Sequence, residues 1–114
     1  MNLASILEPI RGTRGVRGAL VVSRADGLVV SSALAPGVNG AAVAALSASL
    51  ARRIDTLASA IGHDRPPLFE LAGSEGSLLA APAADGLLLV AVTSRDIDRE
   101  RVQATVLQVA GEIG

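Results

Sequence analysis

The chain has 114 residues, half of them apolar but only 1% aromatic; this is room for one domain, 1–114, whose core must be built from Leu, Val, Ile and Ala. The absence of Cys excludes disulfides, a thiolate nucleophile and Cys-ligated metal, and leads us to expect a reduced, cytoplasmic setting. All ten basic residues are Arg, and against eleven acids they leave a net charge of −1, without the basic stripe or aromatic stacking platforms of a nucleic-acid binder.

Leu3, Ile6, Leu7 and Ile10 fall at helical spacing, giving a short amphipathic first helix that Pro9 is expected to end early or bend. The segment has no basic leader ahead of its apolar residues, and no run approaches the ~18 apolar residues of a membrane span, so neither a signal peptide nor membrane insertion is expected. Gly12–Gly15 reads as a loop. Arg17–Arg24 and Leu28–Ala33 read as strands around Ala25-Asp26-Gly27, because Val21, Val22, Val29 and Val30 favour extended backbone and Asp-Gly suits a tight hairpin turn. Leu34–Val38, with Pro36 and Gly37, is a connector.

From Asn39 the period changes. Val43, Leu46, Leu50, Ile54, Leu57 and Ile61 recur at three and four, which predicts a long helix with Asn39 as N-cap, Gly62 as C-terminal stop and these large residues facing the core. Ala41, Ala45, Ala48, Arg52, Thr56 and Ser59 then fall on the opposite face. A helix back of small residues around one Arg reads in two ways: as a surface another backbone can approach closely, or as plain helix-favouring Ala.

Leu68–Ala72 reads as a third strand. Ser77–Ala81 and Gly86–Thr93 repeat the Asp-Gly hairpin phrase, and Leu87–Val92 is apolar on both sides, so the sheet is expected to carry helices on both faces. Asp96 or Asp98 caps a last helix whose apolar positions are Ile97, Val102, Val106, Val109 and Ile113. The order is α-β-β-α-β-β-β-α, an α/β (α+β) sandwich with an antiparallel sheet and the third strand unpaired between two hairpins in chain order.

Chemistry-bearing constellations are scarce. His63 is the only His and sits beside Asp64 in a polar loop, where it reads as a solvated residue rather than an acid–base group. Gly12, Gly15 and Gly18 precede a strand in a chain without Lys, the wrong context for a phosphate loop. Asp96–Arg101 reads as the solvated start of the last helix. Arg52-Arg53 is either an ordinary surface pair or a contact for an acidic surface or phosphate. No catalytic, cofactor or metal residue is expected, and the chain is not expected to be an enzyme.

Gly15-Val16-Arg17-Gly18-Ala19-Leu20-Val21-Val22 followed by Asp26-Gly27-Leu28-Val29-Val30-Ser31-Ser32, then the Ala-rich helix, the Leu78–Pro82 strand and the Asp85–Val90 strand, resembles the roadblock/dynein-light-chain family over nearly the whole chain. The resemblance implies a profilin-like α/β/α sandwich around a five-stranded antiparallel sheet. It implies a homodimer whose third strands, Leu68, Phe69, Glu70, Leu71 and Ala72, pair edge to edge into one continuous sheet. On one face of that sheet the long helices would lie side by side through Ala41, Ala45, Ala48, Arg52, Thr56 and Ser59. As a partner it implies a Ras-like small GTPase, bacterial members resembling regulators that stimulate GTP hydrolysis by stabilising the GTPase's own active site. A structural, self-assembling scaffold is the alternative; an enzyme or small-ligand sensor would need a polar pocket that the sequence does not advertise.

Overall fold

The structure, a computed structural model, describes residues 2–113. In chain order the elements are α1 (Leu3–Arg11), β1 (Val16–Ser23), β2 (Val29–Leu34), α2 (Gly40–Ala60), β3 (Phe69–Ala72), β4 (Gly76–Pro82), β5 (Leu87–Ser94) and α3 (Arg99–Glu112). The five strands form one antiparallel sheet in the order β2-β1-β5-β4-β3. The two Asp-Gly hairpins therefore meet through β1 and β5, and β3 lies at an edge, paired with β4 alone. Strand ends differ from the sequence reading by one or two residues, and Leu68 falls just before β3, half-buried against the α1/α3 side of the core.

The same Asp-Gly phrase closes two different turns. In the second, Asp85 (φ 61°) and Gly86 (φ 71°) are both left-handed, the conformation of the tightest hairpins, and Leu87 N donates to Ala84 O. In the first, only Gly27 is left-handed; its N–H donates to Ser23 O at 2.8 Å, and Ser23 N donates to Leu28 O at 2.9 Å, around a longer loop. Gly27 is required for a second reason: a Cβ there would lie 3.1 Å from the Ala45 Cα of α2. The two turns lie together, since Arg24 N donates to Gly86 O at 2.9 Å.

Side-chain alternation sorts the sheet into two faces. Ala19, Val21, Leu79, Ala81, Leu89 and Ala91 meet Leu7 and Ile10 of α1 and Val102, Val106 and Val109 of α3. Leu20, Val22, Ala80, Leu88 and Val90 meet Ala44, Ala48 and Ala51 of α2. Asp98 caps α3, its carboxylate accepting from Arg101 N at 3.2 Å, and Asn39 caps α2, accepting from Ala42 N at 3.1 Å. Gly62 (φ 77°) ends α2: Gly62 N donates to Ser59 O and His63 N to Ala58 O, the paired bonds of a left-handed C-terminal stop.

Three expectations need correction. The third strand is not unpaired between the hairpins: the short turn at 73–75 folds β3 back onto β4, at the edge of the sheet. Pro9 does not end α1, which runs on to Arg11. The fully buried Leu7 and Ile10 hold the turn on either side of it, and the Thr13 hydroxyl donates to Pro9 O at 2.8 Å. The largest correction concerns α2, which is rotated by about a quarter turn from the expected orientation, so that the stripe between the two expected faces lies on the sheet. It packs its small residues, Ala44, Ser47, Ala48, Ala51 and Ala58, inward, while the large Leu46, Leu57 and Ile61 are 69%, 61% and 58% exposed. The physical reason lies across the interface. The facing strands already supply Leu20, Val22, Leu88 and Val90, and a second layer of large side chains would hold the helix away from the sheet, whereas Ala lets it approach to native packing density.

Candidate functional site

The helix α2 seats mainly on β1, β2 and β5. On that side of the sheet the β4–β3 half carries Phe69 and Leu78, which with Val92 at the end of β5 are only half-buried, and Leu71, which is 59% exposed. The outer stripe of α2 borders this half. Leu46, Ser49, Leu50, Arg53 and Leu71 line a groove of about 360 Å3. A second depression, of about 560 Å3, continues past Leu71, Leu78 and Val92 to the β3–β4 turn and Arg17. The result is an apolar trough, walled on one side by α2 and open on the other to the backbone of β3.

The residues expected to form a contact surface separate in the structure. Ala48 is fully buried under α2 and is not available to a partner. Ala41, Ala45, Arg52, Thr56 and Ser59 are exposed, but none of them lines the trough; Ala45 rests against Gly27 and Arg52 reaches Arg24 O at the β1–β2 turn. Phe69 and Leu71 face the trough. Glu70 and Ala72 point to the other face of the sheet, where the Glu70 carboxylate is engaged with Ser77, Arg99 and Gln103. The β3 edge therefore offers a partner its backbone, Leu71 and part of Phe69, not the Glu70 side chain.

Charge on α2 is confined to its second half, with no charged residue between Asp26 and Arg52. Asp55 accepts from Arg24 and is ion-paired with Arg65 at 3.3 Å, tying the helix to the first hairpin and to the loop after α2. Arg24 is mostly buried and its Nη1 has no hydrogen-bond partner. Arg52 donates from Nη1 to Arg24 O at 3.3 Å; with Ser49, Arg53 and Thr56 it lines a shallow depression of about 410 Å3. The ion network was missed by the sequence reading, since Arg24, Asp55 and Arg65 share no local pattern. The exposed Leu stripe was seen as a stripe but placed inward, and the one available signal was the volume of the facing strand residues.

His63 and Asp64 are exposed in the loop after α2. Among the described residues, no group of three or more His, Asp or Glu is placed to hold a metal ion, and no helix is long and apolar enough to cross a membrane.

This fold and trough define a class: three helices on a five-stranded antiparallel sheet, with large aliphatics of one long helix and one edge strand exposed. The family model of the Roadblock/LC7 domain matches residues 3–93, and the chain belongs to that family. An uncharacterized protein of Methanocaldococcus jannaschii is 27% identical over 108 residues, 95% of this chain and 93% of its own. MglB of Myxococcus xanthus shares the fold at a TM-score of 0.85 and 17% identity, over 95% of this chain and 88% of that one. An MglB in a tetrameric arrangement aligns at a TM-score of 0.86 and 25% identity, over 96% and 82%.

Proposed function

We propose that this protein is a homodimeric regulator or adaptor of a Ras-like small GTPase. The observation that carries the reading is the trough: exposed Leu46, Leu57, Ile61 and Leu71 beside an edge strand with no neighbour on its outer side. A surface of large aliphatics of this kind is a contact surface or an aggregation liability, and an unpaired edge is a template for another strand. A second copy satisfies both. Its β3 pairs antiparallel with this β3, and its α2 lies along the Leu46–Ile61 stripe while its own stripe covers this trough. The contact thus uses the large residues of α2 rather than the Ala41–Ser59 face. Membership in the Roadblock/LC7 family and the likeness to MglB support the GTPase as partner. In this reading the chain supplies a surface, not chemistry: the GTPase keeps its own catalytic groups, and no Arg of this chain is required in its active site.

Sedimentation of the purified chain tests the dimer. Leu46→Glu is expected to weaken it at least a hundredfold, because a symmetric contact counts the change twice and each buried Leu contributes about 1.5–3 kcal/mol; Ala45→Glu is expected to leave it intact. A wild-type monomer at micromolar concentration overturns the dimer. For the partner, the chain is mixed with the Ras-like GTPase encoded nearest its own gene, loaded with GTP or GDP, and complex formation and hydrolysis are followed together. Binding of neither form overturns the GTPase reading for that partner.

A second reading, a self-assembling scaffold, draws on the opposite sheet edge. Leu28 and Val30 at β2 are 64% and 48% exposed, on an edge strand without charge, and one MglB relative is described in a tetrameric arrangement. Species larger than a dimer, abolished by Val30→Lys, would favour it.

A further inference from the structure

β3 is the least supported strand of the sheet. It has four residues, a neighbour on one side only, and on the trough face only Phe69 and the largely exposed Leu71. Short edge strands fray, because few contacts offset the entropy of ordering them. Yet this edge is the one whose backbone must be held in register if a second copy is to pair with it.

On the opposite face, Glu70 meets an arrangement built for one carboxylate. Its Oε2 accepts from the Ser77 hydroxyl at 3.0 Å and is ion-paired with Arg99 Nε at 3.0 Å, and its Oε1 accepts from Gln103 Nε2 at 3.2 Å. The side chain is 15% exposed. Ser77 belongs to the neighbouring strand, but Arg99 and Gln103 lie one helical turn apart at the start of α3, on the same side of that helix. Both carboxylate oxygens are thus occupied, two of the three partners come from a helix, and one of them is a guanidinium. Charge-assisted hydrogen bonds of this kind are about twice as strong as neutral ones and specific in geometry. Burying a carboxylate is unfavourable unless it is paired in this way. If α3 is unseated, Glu70 loses Arg99 and Gln103 together; if β3 frays, α3 loses the partner of both.

We propose that Glu70 is the positioning residue of the β3 edge, and that through it the order of β3 and the seating of the first turns of α3 are linked. The link rests on the dimer reading only in its consequence: strand pairing at β3 steadies the start of α3, and by reciprocity a change at Arg99 or Gln103 alters the dimer.

Amide hydrogen exchange on the full chain, at a concentration where wild type is monomeric and again where it is dimeric, tests this. In the monomer, Glu70→Ala is expected to speed exchange at the β4-bonded amides of β3 about tenfold or more, leaving the amides of β1 and β5 unchanged; Arg99→Ala combined with Gln103→Ala is expected to do the same from the other side. Unchanged β3 exchange overturns the proposal. So does uniformly faster exchange through β1 and β5, which would make Glu70 a general stabiliser. In the dimer, wild type is expected to slow exchange in the first turns of α3, and Glu70→Ala to abolish that dependence on concentration; a dependence that survives overturns the linkage. Glu70→Gln, which keeps an acceptor for Ser77 and Gln103, is expected to fall between. If wild type never dimerises, the dimer reading fails while the monomer arm still decides the role of Glu70.

Discussion

On its inner face α2 presents Ala44, Ser47, Ala48, Ala51 and Ala58 to a sheet made of Leu and Val; on its outer flank it presents Leu46, Leu57 and Ile61 to solvent. The first set holds the chain together and the second is free for another molecule. A helix that had only to stabilise its own domain would carry the large residues inward, where each contributes about 1.5–3 kcal/mol when buried. The reverse placement leaves that free energy unrealised in the isolated chain. It also explains why a positive mean hydropathy coexists with a well-filled core. Half of the exposed large aliphatics lie along α2 and β3, where a second copy can cover them at once; others, Leu28, Val29 and Val30, lie at the opposite edge of the sheet.

The contrast is most directly broken by exchanging sizes. Ala48→Leu inserts a large side chain where the helix touches the sheet, and overpacking of this kind costs about 1–3 kcal/mol. For a domain of this size that is a fall in melting temperature of about 4–8 °C for each kcal/mol. Leu57→Ser, on the outer flank, is expected to leave the melting temperature of the monomer within about 4 °C, since surface substitutions usually stay within about 0.5 kcal/mol, while weakening self-association. Thermal unfolding at low protein concentration, paired with sedimentation at high concentration, reads both. If Leu57→Ser destabilised the monomer as much as Ala48→Leu, the two faces would not be functionally distinct.

Much of the fold is legible in the sequence because its signals are local. Asn39 and Asp98 are caps and Gly62 is a stop because a side-chain oxygen or a left-handed backbone is needed within one turn of a helix end. The apolar β5 lies at the centre of the sheet because both its faces must be covered. The rotation of α2 was not legible, because the stripe that meets the sheet, Ala44, Ser47, Ala48, Ala51 and Ala58, lies between the two faces that the periodicity picks out. It fits the volumes of Leu20, Val22, Leu88 and Val90, which lie on two strands far apart in the chain. The environment of Glu70 was hidden for the same reason: two of its three partners lie beyond β5, and no local period links them. The repeated Asp-Gly phrase was legible as a pair of turns but not as two turn types, since the longer first loop depends on Gly27 fitting against Ala45.

Ser47 sharpens the comparison from inside. Its hydroxyl is buried between α2 and the sheet, and Oγ has no hydrogen-bond partner. An unpartnered buried polar group costs about 1–3 kcal/mol, and Ala is the better helix former. Ser47→Ala is therefore expected to stabilise the monomer, by about 1 kcal/mol, with no effect on self-association. Urea unfolding measures the first and sedimentation the second. A loss of stability would mean that the inner face needs more than small size.

The smallest effect concerns the turn that rests on the flank of α2. The Asp26 carboxylate is held below its ordinary value of 3.8 by the Ser23 hydroxyl and then by the Leu28 amide, which donates to it at 3.2 Å. A carboxylate with a depressed pKa in the folded chain adds stability that is present above the unfolded value and is lost as pH falls through the folded one. Asp26→Asn keeps an acceptor but removes the charge, so wild type should exceed it slightly in urea midpoint at pH 7. The gap should hold down to about pH 5 and shrink as pH falls through 3.8 and on through the lower folded value. A gap that does not shrink at all as pH falls below 3.8 would show that the charge of Asp26 does not steady the turn. Gly27 would then keep its place on Ala45 by backbone conformation and close packing alone.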